Sequence, residues 1–228
     1  MAFIANTDYF GLGDSTTLIV SDSADGRTAQ NVTALKEDGS VGANTVFGDQ
    51  FSPSNTYKIA GSVTKSIVLG GVTTADTSRK IMLGNVSIGT SAGGEPTFTA
   101  SGEEVEADAE AHSCTYTVSL AGLNQKRHAQ TLFGAFQYTG AGCFLTEASY
   151  TIQANIGKAT VDGDPVASDV TEGMIEASVT ITQTGSTEPT LTEGTGWQIT
   201  SPLACTNPDA NYPTWTATLT EYLEKDAD

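Results

Sequence analysis

Residues 86–99, Val86-Ser-Ile-Gly-Thr-Ser-Ala-Gly-Gly-Glu-Pro-Thr-Phe-Thr99, align without a gap with Val179-Thr-Ile-Thr-Gln-Thr-Gly-Ser-Thr-Glu-Pro-Thr-Leu-Thr192. In each copy an alternating segment leads into a turn of small residues, then Glu-Pro-Thr, then a second alternating segment. Alternation of apolar and polar residues is typical of a half-buried strand, and small residues are typical of turns. The sequence therefore predicts one β-hairpin that is used twice.

The repeat extends beyond this hairpin. Gly42-Ala-Asn-Thr-Val-Phe-Gly-Asp49 is echoed by Gly157-Lys-Ala-Thr-Val-Asp-Gly-Asp164 in the same order relative to the hairpin. Internal duplication usually uses one supersecondary unit twice to bury a shared core. We therefore divide the chain into an N-terminal arm (1–15), a first β repeat (16–122), a connecting helix (123–142), a second β repeat (143–222) and an acidic C-terminal tail (223–228).

The segment between the two repeats predicts one amphipathic helix near residues 124–138. Apolar residues recur there at helical spacing, Asn124 can cap the start, and Gly140 and Gly142 suit the end. The apolar positions are Ala129, Leu132, Phe133 and Phe136.

The rest of the chain predicts an all-β protein, mainly an antiparallel β-sandwich or barrel. Charged residues make up only 16% of the chain, and the 24 glycines punctuate Thr-rich alternating runs. Asp25-Gly26 and Asp38-Gly39 are typical tight-turn dipeptides, and we expect a turn at each.

The charge balance bears on the partners that this chain can bind. There are 27 acidic and 10 basic residues, a net charge of −17. Such a surface repels nucleic acid and anionic lipid. The sequence shows neither a signal peptide at its start nor an apolar run long enough for a membrane helix. We therefore expect a protein that folds in a cytoplasm and binds neither DNA nor membranes directly.

No residue pattern indicates catalysis, a cofactor or a metal. His112 and His128 lie in no nucleophile motif, and His112 with Cys114 offers only half of a zinc site. An acidic loop could bracket calcium, but its spacing fails the EF-hand pattern; its carboxylates are Asp162, Asp164, Asp169 and Glu172. We predict no catalytic, cofactor-binding or metal-binding residues.

Two further residue sets have a structural and a functional interpretation. The three cysteines, Cys114, Cys143 and Cys205, fit no metal or redox spacing, and buried free thiols are favoured over a disulfide. The aromatic residues of the second half could form a sugar-binding platform, but packing in a core or interface is favoured; they are Trp197, Tyr212, Trp215 and Tyr222.

The Thr/Gly-rich acidic composition, the duplication of residues 86–99 and the segment Gly196-Trp-Gln-Ile-Thr-Ser-Pro-Leu203 resemble bacteriophage virion structural proteins, most of all major tail (tail tube) proteins. The resemblance implies a β-sandwich or barrel whose copies form rings, here trimers with pseudo-sixfold symmetry. Rings of that family stack into a tube, so the implied partners are further copies and other virion proteins, with DNA passing unbound through an acidic lumen. It also implies that the protein resides in the virion and is assembled in the host cytoplasm.

Two alternatives remain open at this level. A capsid decoration or head–tail connector protein would share the composition and symmetry. A secreted β-sandwich adhesin or carbohydrate-binding protein is the other. For assembly, we expect the N-terminal arm and residues 55–79 to reach neighbouring subunits.

Overall fold

The computed structural model describes residues 6–14, 16–60, 64–70, 72–74, 80–91, 95–105, 114–119, 131–132, 136–139, 144–153, 156–161, 164–170, 176–185 and 187–222. These residues form strands and turns, so the predicted all-β class is confirmed, and every strand pair among them is antiparallel. The strands are β1 (Leu18–Leu35), β2 (Val41–Ile59), β3 (Thr64–Leu69), β4 (Val72–Thr74), β5 (Lys80–Ser91), β6 (Thr97–Val105), β7 (Cys114–Ser119), β8 (Thr131–Leu132), β9 (Phe136–Thr139), β10 (Phe144–Gln153), β11 (Ile156–Val161), β12 (Asp164–Val170), β13 (Glu176–Thr184), β14 (Thr190–Glu193), β15 (Gln198–Thr206) and β16 (Thr214–Tyr222).

One nine-stranded sheet organises the molecule. Its strand order is β1-β2-β6-β5-β10-β13-β16-β15, with β4 paired to β5 outside this path. Among the described residues, three small sheets accompany it, namely β11-β12, β14-β9-β8 and β3-β7. Strands from both predicted repeats contribute to the large sheet, and β5 pairs with β10 where they meet. The two repeats therefore share one sheet.

A row of apolar positions crosses the large sheet from edge to edge. Directly opposite residues are Val20, Tyr57, Phe98, Ile88, Tyr150, Val179, Leu219 and Ile199. Tyr57 and Phe98 are fully buried, and their rings meet edge to face at 5.5 Å between centroids. Burial of one such side chain contributes about 1.5–3 kcal/mol, and an edge-to-face pair adds about 0.5–1.5 kcal/mol. The buried members of this row belong to one core cluster, and they are Tyr57, Phe98, Ile88, Tyr150 and Leu219.

The N-terminal segment, residues 6–14, covers the core at the β1-β2-β6 side of the sheet. Phe10 is buried in the core cluster. The buried Asn55 accepts a hydrogen bond from Tyr9 N at 2.8 Å and donates one to Thr7 O at 2.6 Å. The Tyr57 hydroxyl donates to Asp8 Oδ1 at 2.6 Å. In its described part, the arm expected to reach a neighbour therefore packs on its own sheet.

Residues 55–79 were also expected to face another subunit, but their described part supplies core residues. Ile67 and Leu69 of β3 are fully buried in the cluster that contains Tyr57 and Ile59. Gly70 N donates to Leu83 O at 2.8 Å, which fixes the end of β3 against β5. The small β3-β7 sheet thus lies over the large one, as in a sandwich.

The predicted helix at 124–138 is wrong wherever the structure describes that range. Residues 131–132 form β8 and residues 136–139 form β9. β9 pairs with β14, more than fifty residues further along the chain. Thr131, Phe136 and Tyr138 favour strands, and backbone pairing with a distant strand outweighs the helical spacing of the apolar residues.

The predicted second hairpin is also wrong. β5 and β6 pair with each other, with Ile88 opposite Phe98, as the first copy predicts. In the second copy, β13 pairs with β10 on one side and β16 on the other, while β14 pairs with β9. Because both edges of β13 are occupied, the strand after the Glu-Pro-Thr turn must pair elsewhere. The sequence repeat does not extend to a repeated strand pairing.

Candidate self-association surface

The face of the large sheet opposite the apolar row carries small hydroxyl residues. Alternation places successive side chains on opposite faces, so the residues between the core positions of β2, β6, β5 and β10 share this second face. One row of opposite positions reads Thr56, Thr99, Ser87, Thr151, Ser178 and Thr220. The next row reads Thr97, Gly89, Ser149, Thr180 and Thr218.

We define the hydroxyl face by the members of this surface that are partly or fully exposed. They are Ser54, Thr56, Ser87, Thr97, Thr99, Ser101, Ser149, Thr151 and Thr218. The amides of Asn85 and Gln153 continue the row that begins with Ser54 and Ser101. These members are polar and uncharged, and they lie on β2, β6, β5, β10 and β16.

Charged residues border the hydroxyl face. Lys58 and Glu95 form an exposed ion pair at 3.2 Å beside Thr97. Glu147 stands at the same end of β10, and Asp22 lies opposite Thr56 on the edge strand. Lys58 lies opposite Thr97 and Glu176 lies opposite Gln153, so charged residues continue two of these rows in a chain whose net charge is −17.

The Lys58–Glu95 pair also gives the first Glu-Pro-Thr turn a physical role. Pro96 is buried at the start of β6 and Glu95 reaches across to β2. In the second copy Pro189 is likewise buried and Glu188 is exposed. The shared feature of the two turns is therefore the buried proline immediately before a strand, where the missing N–H breaks no ladder bond.

The β1 edge of the large sheet is partly capped by the N-terminal segment. Asp14 N donates to Leu18 O at 2.7 Å, Leu18 N donates to Asp14 Oδ1 at 3.1 Å, and Asn6 Nδ2 donates to Ser21 O at 2.9 Å. The Thr17 hydroxyl and the backbone N–H groups of residues 16–18 hold the pKa of Asp14 well below its usual range. Lys65 Nζ lies 3.4 Å from the same carboxylate. An added strand would have to displace these contacts.

The β15 edge is protected from pairing with another strand by a proline and by register shifts. Pro202 has no N–H to donate, and the register of β15 shifts between Ile199 and Ser201 and again between Ser201 and Ala204. Ile199 N donates to Glu193 Oε1 at 2.7 Å. Proline and bulges are the usual means by which edge strands avoid pairing with other chains.

A long hairpin extends past the other strands of the large sheet. β1 and β2 stay paired from Arg27–Phe51 to Leu35–Val41, whereas β6 pairs with β2 only over residues 54–58. The nine residues of β1 from Arg27 to Leu35 span about 30 Å. At the tip, Leu35 is 64% exposed and Val41 is 60% exposed. Hydrogen bonds from the Ser40 hydroxyl and backbone N–H lower the pKa of Asp38 in the turn.

The residues considered for metal binding and catalysis are not brought together in the described part. Asp164 begins β12, and Asp169 lies opposite Gly157 in β11. His112, His128, Asp162 and Glu172 lie outside the described residues. Among the residues that the structure describes, no three His, Cys, Asp or Glu side chains cluster as a metal site would require. Cys205 is a half-buried free thiol, Cys114 begins β7, and Cys143 lies outside the described ranges.

The aromatic residues do not form a sugar platform. Trp197 is only 5% exposed, with its ring 5.9 Å from that of Tyr150, so its role is in the core as favoured above. Tyr212 and Tyr222 are both 65% exposed, but Tyr212 lies two residues before β16 and Tyr222 ends that strand, which is about 30 Å long. Trp215 is half-buried between them.

Sequence reasoning missed the hydroxyl face. The local signal was present, since Ser and Thr alternate with apolar residues in β5, β6 and β10. The lateral order of those strands decides whether the hydroxyl residues form one surface.

No protein-family model matches this chain, and no curated protein matches it. Over the ranges that the structure covers, there is no helix long and apolar enough to cross a lipid bilayer.

Proposed function

We propose that this protein is a structural subunit of a bacteriophage particle, whose copies associate into rings of the tail-tube type, with trimers giving pseudo-sixfold symmetry. The rings stack into a tube, and DNA passes through an acidic lumen without binding. Further copies and other virion proteins are the partners, and the virion is the site of action.

The observation that carries the proposal is the build of the large sheet. Its apolar face is covered by the N-terminal segment and β3, while the uncharged Ser and Thr residues of the hydroxyl face lie on its other side in a strongly acidic protein. Complex interiors are depleted of charge in the same way. The exposed Leu35 and Val41 at the hairpin tip offer a second, apolar contact.

The protected edges of the large sheet disfavour assembly by strand pairing between copies. Edge-to-edge merging of sheets would have to displace the Asn6 and Asp14 contacts on β1 and would meet Pro202 on β15. We therefore propose that copies contact each other chiefly through faces and the projecting hairpin.

Negative-stain electron microscopy of the purified full chain tests this function. At high protein concentration and moderate salt we expect closed rings and short stacks. A species that remains monomeric under these conditions would contradict the proposal. A protein that forms no rings alone but binds a capsid lattice would point to the decoration or connector role instead.

A further inference from the structure

We propose that the part of the large sheet beneath residues 6–14 is a peptide-binding site for segments of the pattern Asp-x-Phe-Gly-x-Gly, and that the chain fills this site with its own N-terminal segment. The peptide site consists of Phe51, Asn55, Tyr57 and Gly102, which all contact that segment. This inference goes beyond the proposed function and does not depend on it, because one copy of the chain already contains the whole site.

Asn55 binds the backbone of the segment. It is fully buried, and its side-chain oxygen accepts a hydrogen bond from Tyr9 N at 2.8 Å, while its amide nitrogen donates one to Thr7 O at 2.6 Å. Hydrogen bonds to the main chain are a common source of affinity in peptide recognition. Burial of an amide is costly unless it is hydrogen-bonded, so Asn55 is suited to a sheet surface that a peptide covers.

Tyr57 and Gly102 select side chains of the segment. The buried Tyr57 donates from its hydroxyl to Asp8 Oδ1 at 2.6 Å, and a hydrogen bond to a charged acceptor is stronger than one between neutral groups. Phe10 is 5% exposed in the core cluster, and a Cβ at Gly102 would lie 2.8 Å from its Cε1. Because Gly102 has no side chain, the aromatic ring fits there. The site therefore requires a carboxylate and an aromatic ring two residues apart.

The glycines of the segment complete the pattern. Asp8 Oδ1 accepts a hydrogen bond from Gly11 N at 3.0 Å, and Asp8 Oδ2 accepts one from Gly13 N at 2.8 Å. Gly11 has φ +63°, and a Cβ at Gly13 would lie 2.8 Å from Asp8 Oδ2. The carboxylate that meets Tyr57 thus also folds the segment into its bound shape, which lowers the entropy lost on binding.

Asp14 holds the chain's own segment at the site. Its carboxylate accepts hydrogen bonds from Thr16 N at 2.8 Å, Leu18 N at 3.1 Å and the Thr17 hydroxyl at 2.6 Å. These contacts close the turn between the segment and β1, and none of them involves a residue of the peptide site. So short a connection gives the segment a millimolar effective concentration, against which a free peptide competes poorly. Release of the turn or loss of the Phe10 ring should open the site to such a peptide.

Fluorescence anisotropy tests the inference with the full chain and a labelled peptide of residues 6–14. Phe10→Ala removes the aromatic ring of the chain's own segment, and Asp14→Ala removes the acceptor that closes the turn, whereas both keep every residue of the peptide site. We expect each variant to bind the peptide at least tenfold more tightly than the natural chain, whose site is occupied. Circular dichroism checks the fold, and one folded variant suffices for the comparison.

Asp209→Ala is the matched control for the change in charge, because Asp209 is exposed between β15 and β16, at the other edge of the large sheet. It should bind the peptide as weakly as the natural chain does. Peptides in which alanine replaces Asp8 or Phe10 should bind the variants at least tenfold more weakly than the natural peptide. The inference is overturned if no folded variant binds the peptide more tightly than the natural chain, or if the altered peptides bind equally well.

Discussion

Gly102 and Gly89 lie on the paired strands β6 and β5, yet a side chain meets very different surroundings at the two positions. A Cβ at Gly102 would collide with the backbone oxygen of Met82 and would lie 2.8 Å from Cε1 of Phe10. At Gly89 the nearest atom would be Thr97 Oγ1, at an ordinary 3.8 Å. Gly102 therefore lets the N-terminal segment pack against β5 and β6.

We expect Gly102→Ala to destabilise the protein by about 1–3 kcal/mol, the usual cost of overpacking. Gly89→Ala should stay within about 0.5 kcal/mol of the natural chain, as other substitutions without strain do. Urea unfolding followed by tryptophan fluorescence measures both. Equal stabilities for the two variants would contradict the close packing at Gly102.

Tyr57 makes the fold sensitive to alkaline pH. Burial raises the pKa of its hydroxyl, and the hydrogen bond to Asp8 and that carboxylate's charge raise it further. The neutral phenol is thus favoured in the folded state, so its contribution is fully present below the unfolded value near pH 10. Above that pH the unfolded chain releases the proton first, and stability falls by about 1.4 kcal/mol per pH unit until the folded pKa is reached.

We expect this decline in urea unfolding between pH 10 and 11, and a smaller one in Tyr57→Phe. The substitution also removes the hydrogen bond to Asp8 and so changes the free energy of unfolding at every pH. The comparison is therefore between the slopes of the free energy of unfolding against pH, not between its absolute values. Identical slopes for the two proteins would show that Tyr57 does not titrate as inferred.

At the scale of elements, strand pairing determines whether an Asp-Gly dipeptide forms a turn, as Asp25-Gly26 and Asp38-Gly39 show. Gly39 has φ +80° and forms the predicted turn between β1 and β2. Gly26 lies inside β1, where a Cβ would collide with the oxygen of Ser52. The Asp-Gly dipeptide therefore forms a turn at residues 38–39, whereas at residues 25–26 its glycine lets two strands approach closely.

The projecting hairpin can be removed without touching the described core. Arg27 and Phe51 are paired across β1 and β2, so Asn-Gly in place of residues 28–50 would close a two-residue turn between them. We expect the shortened chain to keep its midpoint of thermal unfolding within a few degrees, because the described core residues lie outside the excised range.

Ring stacking should be weaker in the shortened chain, because Leu35 and Val41 are lost. Negative-stain microscopy then compares the length of stacks with that of the natural chain, and a Leu35→Ser, Val41→Ser variant separates loss of the apolar tip from loss of the hairpin. Stacks of unchanged length in both would exclude the hairpin from assembly.

At the scale of the whole molecule, the net charge of −17 should make self-association depend on salt. Copies repel over about 30 Å at 10 mM ionic strength but over only about 3 Å at 1 M. We expect the sedimentation coefficient to rise with sodium chloride from 10 mM to 1 M at constant protein concentration. A decrease with salt would indicate that ion pairs hold the copies together and would contradict contact through an uncharged face.

Several features follow from the sequence alone. The alternation of apolar and polar residues around Val86, Ser87 and Ile88 predicts a strand, and β5 forms there. The β5-β6 hairpin follows from local turn chemistry. The acidic charge is likewise a property of composition. These are short-range or additive properties, so no knowledge of distant contacts is needed.

Tertiary structure decided the rest, because pairing between distant strands depends on which backbone edges are free. β13 is enclosed by β10 and β16, so the second Glu-Pro-Thr turn leads to β14 and a different sheet. β9 is a strand despite its helical spacing because β14 pairs with it. The hydroxyl face exists only because β2, β6, β5, β10, β13 and β16 lie side by side in a register that aligns their Ser and Thr residues. The sequence determines which residues alternate, whereas lateral strand order determines which of them become a surface.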